Sequence, residues 1–400
     1  MAARSVEEHA GRIRAVLALA GEEELPLAAL LDRVLAVEAR SPVDLPLFRN
    51  SERDGFAVRS ADVPGTLPIV GEIAARPVGE HGLPALAPGT AVRIMTGAPL
   101  PAGADAVVQV EDVRIEDAGP EDTRPGTVTV PIPVPPGSWL RERGSDLAAG
   151  APLVAAGTRL ASRHLAALAA AGIRSATVRR RARVAVITTG AELAEHPRRL
   201  GEIHDANLPA LVAAVRAAGA EPAASVRTGD APDAFAAALA RALPGADVVV
   251  TSGGISMGEH EVVREVLAPR GGWFGHVAMQ PGGPQGLSVI EGVPVLSFPG
   301  NPVSTQLSFE VFLAPLLRAW AGMPQPARRT VRIALDAPIR SPEGKRQLLR
   351  GRLLPGGAAA LASGPGSHLV AGLAAADCLL VVPEPVTRLE PGDAVEAWLL

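Results

Sequence analysis

Between residues 177 and 325 short apolar runs alternate with helical patterns, and this rhythm constrains the fold more than any other feature. Strand candidates fall at 182–188, 222–226, 247–251, 275–279 and 294–298, and helix candidates at 207–218, 231–242, 260–268 and 304–321. Parallel strands need crossover helices, so this order describes an open α/β domain with a mostly parallel sheet. Three of the runs end in polar loops: TTGAEL at 188–193, TSGGISMGEHE at 251–261 and PGNPVS at 299–304. Open sheets bind ligands beyond the carboxyl ends of their strands, and hydroxyls, turn glycines and acids placed there point to an anionic ligand.

Each loop has a chemical reading and a plain one. In TTGAEL, the Thr188 and Thr189 hydroxyls beside Gly190 can bind a phosphate or a sugar hydroxyl, and Glu192 can hold a hydroxyl or a hydrated metal ion. The same residues also make an ordinary turn with Glu192 in a capping role. In TSGGISMGEHE, Thr251, Ser252, Gly253 and Gly254 directly follow ADVVV, where successive N–H groups can form an anion nest. Glu259 and Glu261 offer oxygen to Mg²⁺, directly or through water, or else sit as solvated acids at a helix start; Met257 reads as packing. Pro299, Gly300, Asn301 and Pro302 stiffen the third loop, with Ser304 and Thr305 beyond, and Asn301 either reads a polar ligand edge or satisfies its own backbone. In HDAN at 204–207, Asp205 and Asn207 either cap the next helix or hold a ribose.

The flanking regions divide the rest. Residues 5–20 and 24–39 carry helical periodicity, with Leu27, Leu30, Leu31 and Val34 forming one stripe. Residues 54–140 switch to short strand-like pieces separated by Pro and Gly, with 116–127 as a surface loop. Residues 141–176 return to irregular and helical character, and the tail after 327 reads as a compact β domain. The expected partition is an irregular helical domain at 1–43 and 141–176, a β-rich insert at 44–140, an α/β domain at 177–326 and a C-terminal β domain at 327–400. The helical lobe is a plausible dimer contact. Asp54 and Thr96 in the insert, and Arg350, Gly366, Ser367 and His368 in the last domain, can reach a pocket only across a domain or subunit boundary. Their bland readings are a turn, a strand-end cap, a solvated charge and a surface loop.

Composition removes several classes. A formal net charge of -4 offers no general attraction for nucleic acid or an anionic membrane, and with 7 Phe, 4 Trp and no Tyr there is little to stack bases on. Arginine is abundant and lysine rare, which reads as compositional bias. The one cysteine, Cys378, lies in an apolar run and reads as a buried thiol, which excludes an internal disulfide and a cysteine metal cluster. The start lacks an apolar signal core and no uninterrupted run approaches a membrane span, so the expected location is cytoplasmic. No HExxH, Walker loop, nucleophile elbow or GxGxxG opening is present.

Taken in order, DGFAV at 54–58, RIMTGAPLPAGADAVV at 93–108, RERGSDLAAG at 141–150, TTGAEL, HDAN, TSGGISMGE, PGNPVS and GSH resemble the molybdopterin molybdenumtransferase family, which includes gephyrin-like E domains. The resemblance covers nearly the whole chain. It implies an elongated, four-part molybdenum-insertase homodimer: a helical domain interrupted by a β-rich one, an α/β pterin-binding domain and a C-terminal β-barrel-like domain. The implied reaction takes adenylylated molybdopterin, molybdate and Mg²⁺, and releases AMP and molybdenum cofactor. Implied partners are molybdopterin adenylyltransferase and downstream molybdoenzyme chaperones.

The resemblance carries over Asp54, Thr96, Glu192, Asp230, Ser252, Glu261, Arg350 and Ser367 as site residues. On sequence alone Asp230 equally caps a helix. In that picture Ser252, Gly253 and Gly254 cradle phosphate, while Glu192, Asp230 and Glu261 position Mg²⁺ and its waters. Arg350 and Ser367 make oxyanion contacts, and Thr189, Gly190, Asp205, Asn207, Gln280, Pro299, Gly300 and Asn301 complete the pterin site. There are two departures. A KPGKP-like loop reads MQPGGPQG at 279–286, with Gln280 and Gly283 in place of lysines, and Glu261 stands where Asp is usual. Two alternatives remain: an adenylyltransferase, whose smaller architecture lacks the insert and C-terminal domain, and a non-catalytic pterin-binding scaffold.

Overall fold

The computed structural model describes residues 3–79, 82–116, 126–256 and 261–400. Its chain forms two compact units, Met1–Glu23 with Val178–Leu400, and Glu24–Thr177.

The larger unit contains strands β1 (Arg183–Thr189), β2 (Glu221–Thr228), β3 (Val248–Ser252), β4 (Trp273–His276), β5 (Met279–Gln280), β6 (Pro284–Ile290) and β7 (Val293–Phe298). Six of them form one sheet in the order β2-β1-β3-β7-β6-β4. The first four are parallel; β6 and β4 add antiparallel. The helices packed on and beside this sheet include α1 (Val6–Val16), α2 (Asn207–Ala217), α3 (Pro232–Ala242), α4 (Val262–Leu267), α5 (Pro302–Ser308) and α6 (Ala314–Trp320). Because side chains alternate along a strand, β1 serves two cores at once. Val184 and Val186 pack with Leu211 and Val215 of α2, whereas Ala185 and Ile187 pack with Phe235 and Leu239 of α3. Burial on both faces explains why the central strands read as near-continuous apolar runs. From β1 the chain crosses to β2 on one side, then returns to β3 on the other, so strand order reverses between β1 and β3.

The segment expected as a strand at 275–279 is broken. Here β4 stops at His276, Val277 N–H donates to the Gly283 carbonyl at 2.7 Å, and the prolines and glycines of 281–284 turn the chain into β6. The excised piece, β5, pairs in parallel with another sheet, Met279 beside Arg346 and Gln280 beside Gln347. The helix expected at 304–321 is likewise interrupted, by a π turn at Phe309–Leu313. Pro315 has no N–H to give to the carbonyl four residues back, and the wider turn absorbs the mismatch.

The second sheet of this unit is formed by β8 (Thr330–Leu335), β9 (Arg346–Leu353), β10 (Ala358–Leu361), β11 (Cys378–Val382) and β12 (Ala394–Leu399). Its order is β5-β9-β10-β8-β12-β11, and β9 also pairs with β11, closing a barrel-like ring. Cys378 is fully buried inside it, and burial, aided by Asp377, pushes the thiol up to about 11.

In the smaller unit, Gly55–Val58, Gly65–Ile73, Ala91–Ile94, Ala106–Gln109, Arg114–Glu116 and Thr127–Val130 make a six-stranded sheet. The chain enters and leaves it through paired segments, Ala39–Arg40 against Pro152–Val154 and Asn50–Ser51 against Leu140–Arg141. The helix expected at 24–39 does not form. Leu27–Ala29 is a single 3-10 turn, Asp32 takes a left-handed φ of 61°, and Leu35 N–H donates to the Thr158 carbonyl at 2.9 Å. Leu30 and Val34 are buried by long-range pairing, so their helical spacing found a different use. Residues 117–125 of the expected loop, together with Met257 and Glu259, lie outside the described residues.

Candidate functional site

Gly190, Gly253 and Gly300 follow the carboxyl ends of β1, β3 and β7, three adjacent strands, and open on one cleft of about 830 Å³. The turns are packed tightly. Gly253 has φ +96°, and a Cβ there would stand 2.5 Å from the Thr189 carbonyl oxygen, so only glycine fits. Its N–H is bonded to the Phe298 carbonyl at 3.1 Å, which ties the β3 turn to β7. Behind the glycines lies a buried polar network. The Asn207 amide donates to Ser252 Oγ at 2.9 Å and to the Gly300 carbonyl at 2.6 Å, and Ser252 and Thr305 hydroxyls are 3.0 Å apart. Asn207 is the first residue of α2, and its position is fixed by Asp205, whose Oδ1 accepts from the N–H groups of Asn207 and Leu208 at 3.0 Å.

The residues singled out from sequence divide into three groups. Thr189, Gly190, Glu192, Asn207, Asp230, Gly253, Gly254, Glu261, Gln280, Pro299, Gly300, Asn301 and Ser367 line this cleft. Asp230 does not cap α3; its Oδ2 accepts from Ala191 N–H at 2.9 Å, locking the TTGAEL loop to the end of β2. Glu192 lies against Gly190, near enough that a Cβ at 190 would meet its Oε2 at 2.6 Å. Asn301 leads α5 without capping it and stays exposed. Gln280 Oε1 accepts from Gln347 Nε2 at 2.8 Å.

A second group supports the cleft from behind. The Asp205 carboxylate is spent on the α2 cap and on the Thr188 hydroxyl, 2.6 Å away. Ser252 is 1% exposed and its hydroxyl points into the network rather than the cleft. Arg350 is not a solvated charge: it is fully buried, and burial lowers its pKa. Its guanidinium donates to Ser363 Oγ at 3.2 Å and to the carbonyls of Gly364 and Gly366, and among the described residues no carboxylate pairs with it. Those carbonyls belong to the loop carrying Ser367, whose own carbonyl accepts from Val303 N–H of α5 at 3.1 Å. Arg350 therefore shapes the loop that presents Ser367.

Asp54 and Thr96 form the third group, in the smaller unit. Asp54 Oδ1 accepts from Thr96 N–H at 2.6 Å and from Thr96 Oγ1 at 2.8 Å, and these bonds hold its carboxyl below the usual range. The sequence reading missed Lys345, His276 and the His204 ring, all of which line the cleft.

The chemistry on offer is that of an oxygen-rich, anion-tolerant pocket. The Thr189 hydroxyl and Asn207 Oδ1 are buried without a partner among the described residues, and both residues line the cleft. Glu192, Asp230 and Glu261 add three carboxylates, although among the described residues no three His, Cys, Asp or Glu side chains gather into a preformed metal cage. Among those residues no helix is long and apolar enough to cross a membrane.

A doubly wound sheet with a glycine-lined cleft at its switch point, joined to a β-barrel-like domain and a β-rich unit, defines a multidomain α/β ligand-binding protein. Comparison with known proteins resolves the class. Residues 4–172 match the MoeA N-terminal region (domain I and II), 185–319 the family described as "Probable molybdopterin binding domain", and 332–400 the MoeA C-terminal region (domain IV). The chain is 39% identical over 412 residues to Molybdopterin molybdenumtransferase 2 of Mycobacterium tuberculosis, covering 99% of each. It is 37% identical to the Molybdopterin molybdenumtransferase of Synechococcus elongatus over 84% of each. The solved molybdopterin biosynthesis moea protein from Pyrococcus horikosii superposes with a TM-score of 0.81 at 31% identity, covering 100% of this chain and 99% of that one. The chain belongs to the molybdopterin molybdenumtransferase family, enzymes of molybdenum cofactor biosynthesis.

Proposed function

We propose that this protein inserts molybdate into adenylylated molybdopterin, cleaving the adenylyl phosphoanhydride and releasing AMP and molybdenum cofactor. The observation that carries the reading is the cleft itself, where glycine turns from three strand ends leave room for a phosphate-bearing ligand beside three carboxylates. The orphaned Thr189 hydroxyl and Asn207 Oδ1 give such a ligand buried polar atoms to satisfy.

Mg²⁺ fits this donor set. Hard cations take oxygen ligands, and Mg²⁺ keeps several waters while using one or two carboxylates plus substrate phosphates, so a three-carboxylate cage is not required. Glu192, Asp230 and Glu261 are the residues that would hold it. When bound, the ion offsets pyrophosphate charge and polarises a phosphoryl oxygen. Asp230 also fixes the TTGAEL loop, Asn301 is free to read a polar ligand edge, and Ser367 is held at the rim by Arg350 and Val303. Asp54, oriented by Thr96, completes the proposed residue set. We further propose a cytoplasmic homodimer as the working form.

Incubating the protein with adenylylated molybdopterin, molybdate and Mg²⁺ tests the reading, with AMP and metal-loaded cofactor measured together. Formation of both is expected. The uncharged Gln280 and Gly283 favour a second reading, a pterin carrier, and tight pterin binding without either product would select it.

A further inference from the structure

Lysine and arginine together number 38 in the sequence, and Lys345 is the only lysine. Lys345 lines the cleft, whereas no arginine does among the described residues. Among those residues His204 and His276 also line it. Lys345 is thus the fixed positive charge in a cleft lined by Glu192, Asp230 and Glu261. Its position follows from register. Strand β5 pairs with the start of β9, and Arg346 N–H donates to the Ala278 carbonyl at 2.9 Å, so residue 345 stands at the edge of the 279–283 loop. Arg346 beside it is paired with Glu7 at 2.6 Å and Glu384 at 3.0 Å, whereas Lys345 is exposed and its ammonium makes no ion pair or hydrogen bond among the described residues. A cation held at a cleft edge by strand pairing, with no protein partner among the described residues, beside a loop uncharged at Gln280 and Gly283, is placed for a ligand.

We propose that Lys345 is the oxyanion-binding residue of this cleft, its ammonium holding a tetrahedral oxyanion at the edge formed by β5 and β9. The inference rests on the insertase reading for its ligands. Lysine suits this task because its compact charge and three rotatable donors do not impose the planar fork of arginine on a tetrahedral group. Two ligands share the chemistry: the phosphate of the pterin and molybdate.

The test measures the KM for molybdate at saturating pterin and, separately, the dissociation constant of adenylylated molybdopterin by equilibrium dialysis. Lys345→Ala should weaken one of them about tenfold or more, the cost of a lost charge-assisted contact, with kcat nearly unchanged. A rise in the molybdate KM alone identifies molybdate as the oxyanion; a rise in the pterin constant alone identifies the phosphate. Lys345→Arg should recover part of the loss. Moving the charge should recover it too: a Cβ at Gly283 meets nothing closer than 3.4 Å, so the backbone there accepts a side chain, and Gly283→Lys is placed in the Lys345→Ala background. Acetylation gives a readout without turnover, since an amine-reactive ester has a single side-chain target, and the peptide containing Lys345 should be protected by the ligand it holds. Wild-type values for Lys345→Ala in both measurements, or full labelling at saturating ligands, would overturn the role of Lys345 while leaving the cleft assignment standing. Failure of the wild-type protein to bind either ligand would overturn both.

Discussion

The side-chain amide of Asn207, at the start of α2, donates to Ser252 Oγ at the end of β3 at 2.9 Å, and in the same stroke to the Gly300 carbonyl after β7. One side chain thus sets the spacing of two of the glycine turns. Asn207→Ala removes the donor from the buried Ser252 hydroxyl and from the Gly300 carbonyl, at an expected cost of about 1–3 kcal/mol. Asn207→Asp should be worse, because it sets an oxygen against that carbonyl. Urea unfolding of the two variants at neutral pH checks the order, and pterin binding should weaken in both.

Glu310, in the π turn after α5, accepts bidentate bonds from Arg318 and Arg328, at 2.6 and 2.8 Å and at 2.7 and 2.9 Å. Burial alone would raise its pKa, but the two guanidinium partners outweigh it and hold the carboxyl below the usual range. Glu310→Gln should cost about 3–5 kcal/mol by leaving two cations around a neutral group. The stabilisation is present above the unfolded carboxyl pKa of roughly 4.3 and is lost as pH falls through the lower folded value. The gap in stability between wild type and Glu310→Gln should therefore close only in strongly acidic buffer, which unfolding curves from pH 7 downward will show.

His9 of α1 is fully buried, its ring 4.8 Å from Phe312 and 5.2 Å from Trp273, and neither ring nitrogen has a hydrogen-bond partner among the described residues. Burial, with Arg4 nearby, pushes its pKa down to about 4. The unfolded chain takes up that proton near pH 6.5, so between there and 4 the unfolded state binds more protons and stability falls with pH, by up to about 1.4 kcal/mol per pH unit. His9→Leu should remove this slope and leave the difference from wild type constant above pH 7. Parallel profiles between pH 7 and 5 would show that the ring titrates normally in the fold.

Asp54→Asn, in the smaller unit, and Glu261→Gln, in the larger, each test the proposed chemistry. Each should lower the rate of AMP release by roughly a hundredfold, the scale of a lost catalytic group, with the unfolding midpoint little changed because both acids are exposed or half-exposed. Full activity in both variants would remove these carboxylates from the mechanism.

Much of the α/β domain is legible in the sequence because its central strands are buried on both faces and its loops are glycine-marked. The two-core division of β1 is written in consecutive apolar residues, and Gly253 announces a turn that no other residue can make. What stays hidden is set by distant partners. Leu27, Leu30, Leu31 and Val34 have helical spacing, yet Val34 bridges Arg159 and Leu35 bonds Thr158. Ser252 and Asp205 carry the right polarity for ligand contact, but Thr305, Asn207 and Thr188 claim them. Lys345 was legible only as a rarity, since its place in the cleft depends on a strand pairing across more than sixty positions of chain.

That pairing also bears on how such a protein is assembled from parts. With β5 lent to the barrel's sheet, the seam between α/β fold and C-terminal barrel does not follow the linker after α6; it passes through the 279–283 loop that lines the cleft. The two halves are therefore not interchangeable modules. Excising the barrel would strip the loop of its neighbouring strand, and grafting a foreign barrel would require its edge to match Met279 and Gln280 residue for residue.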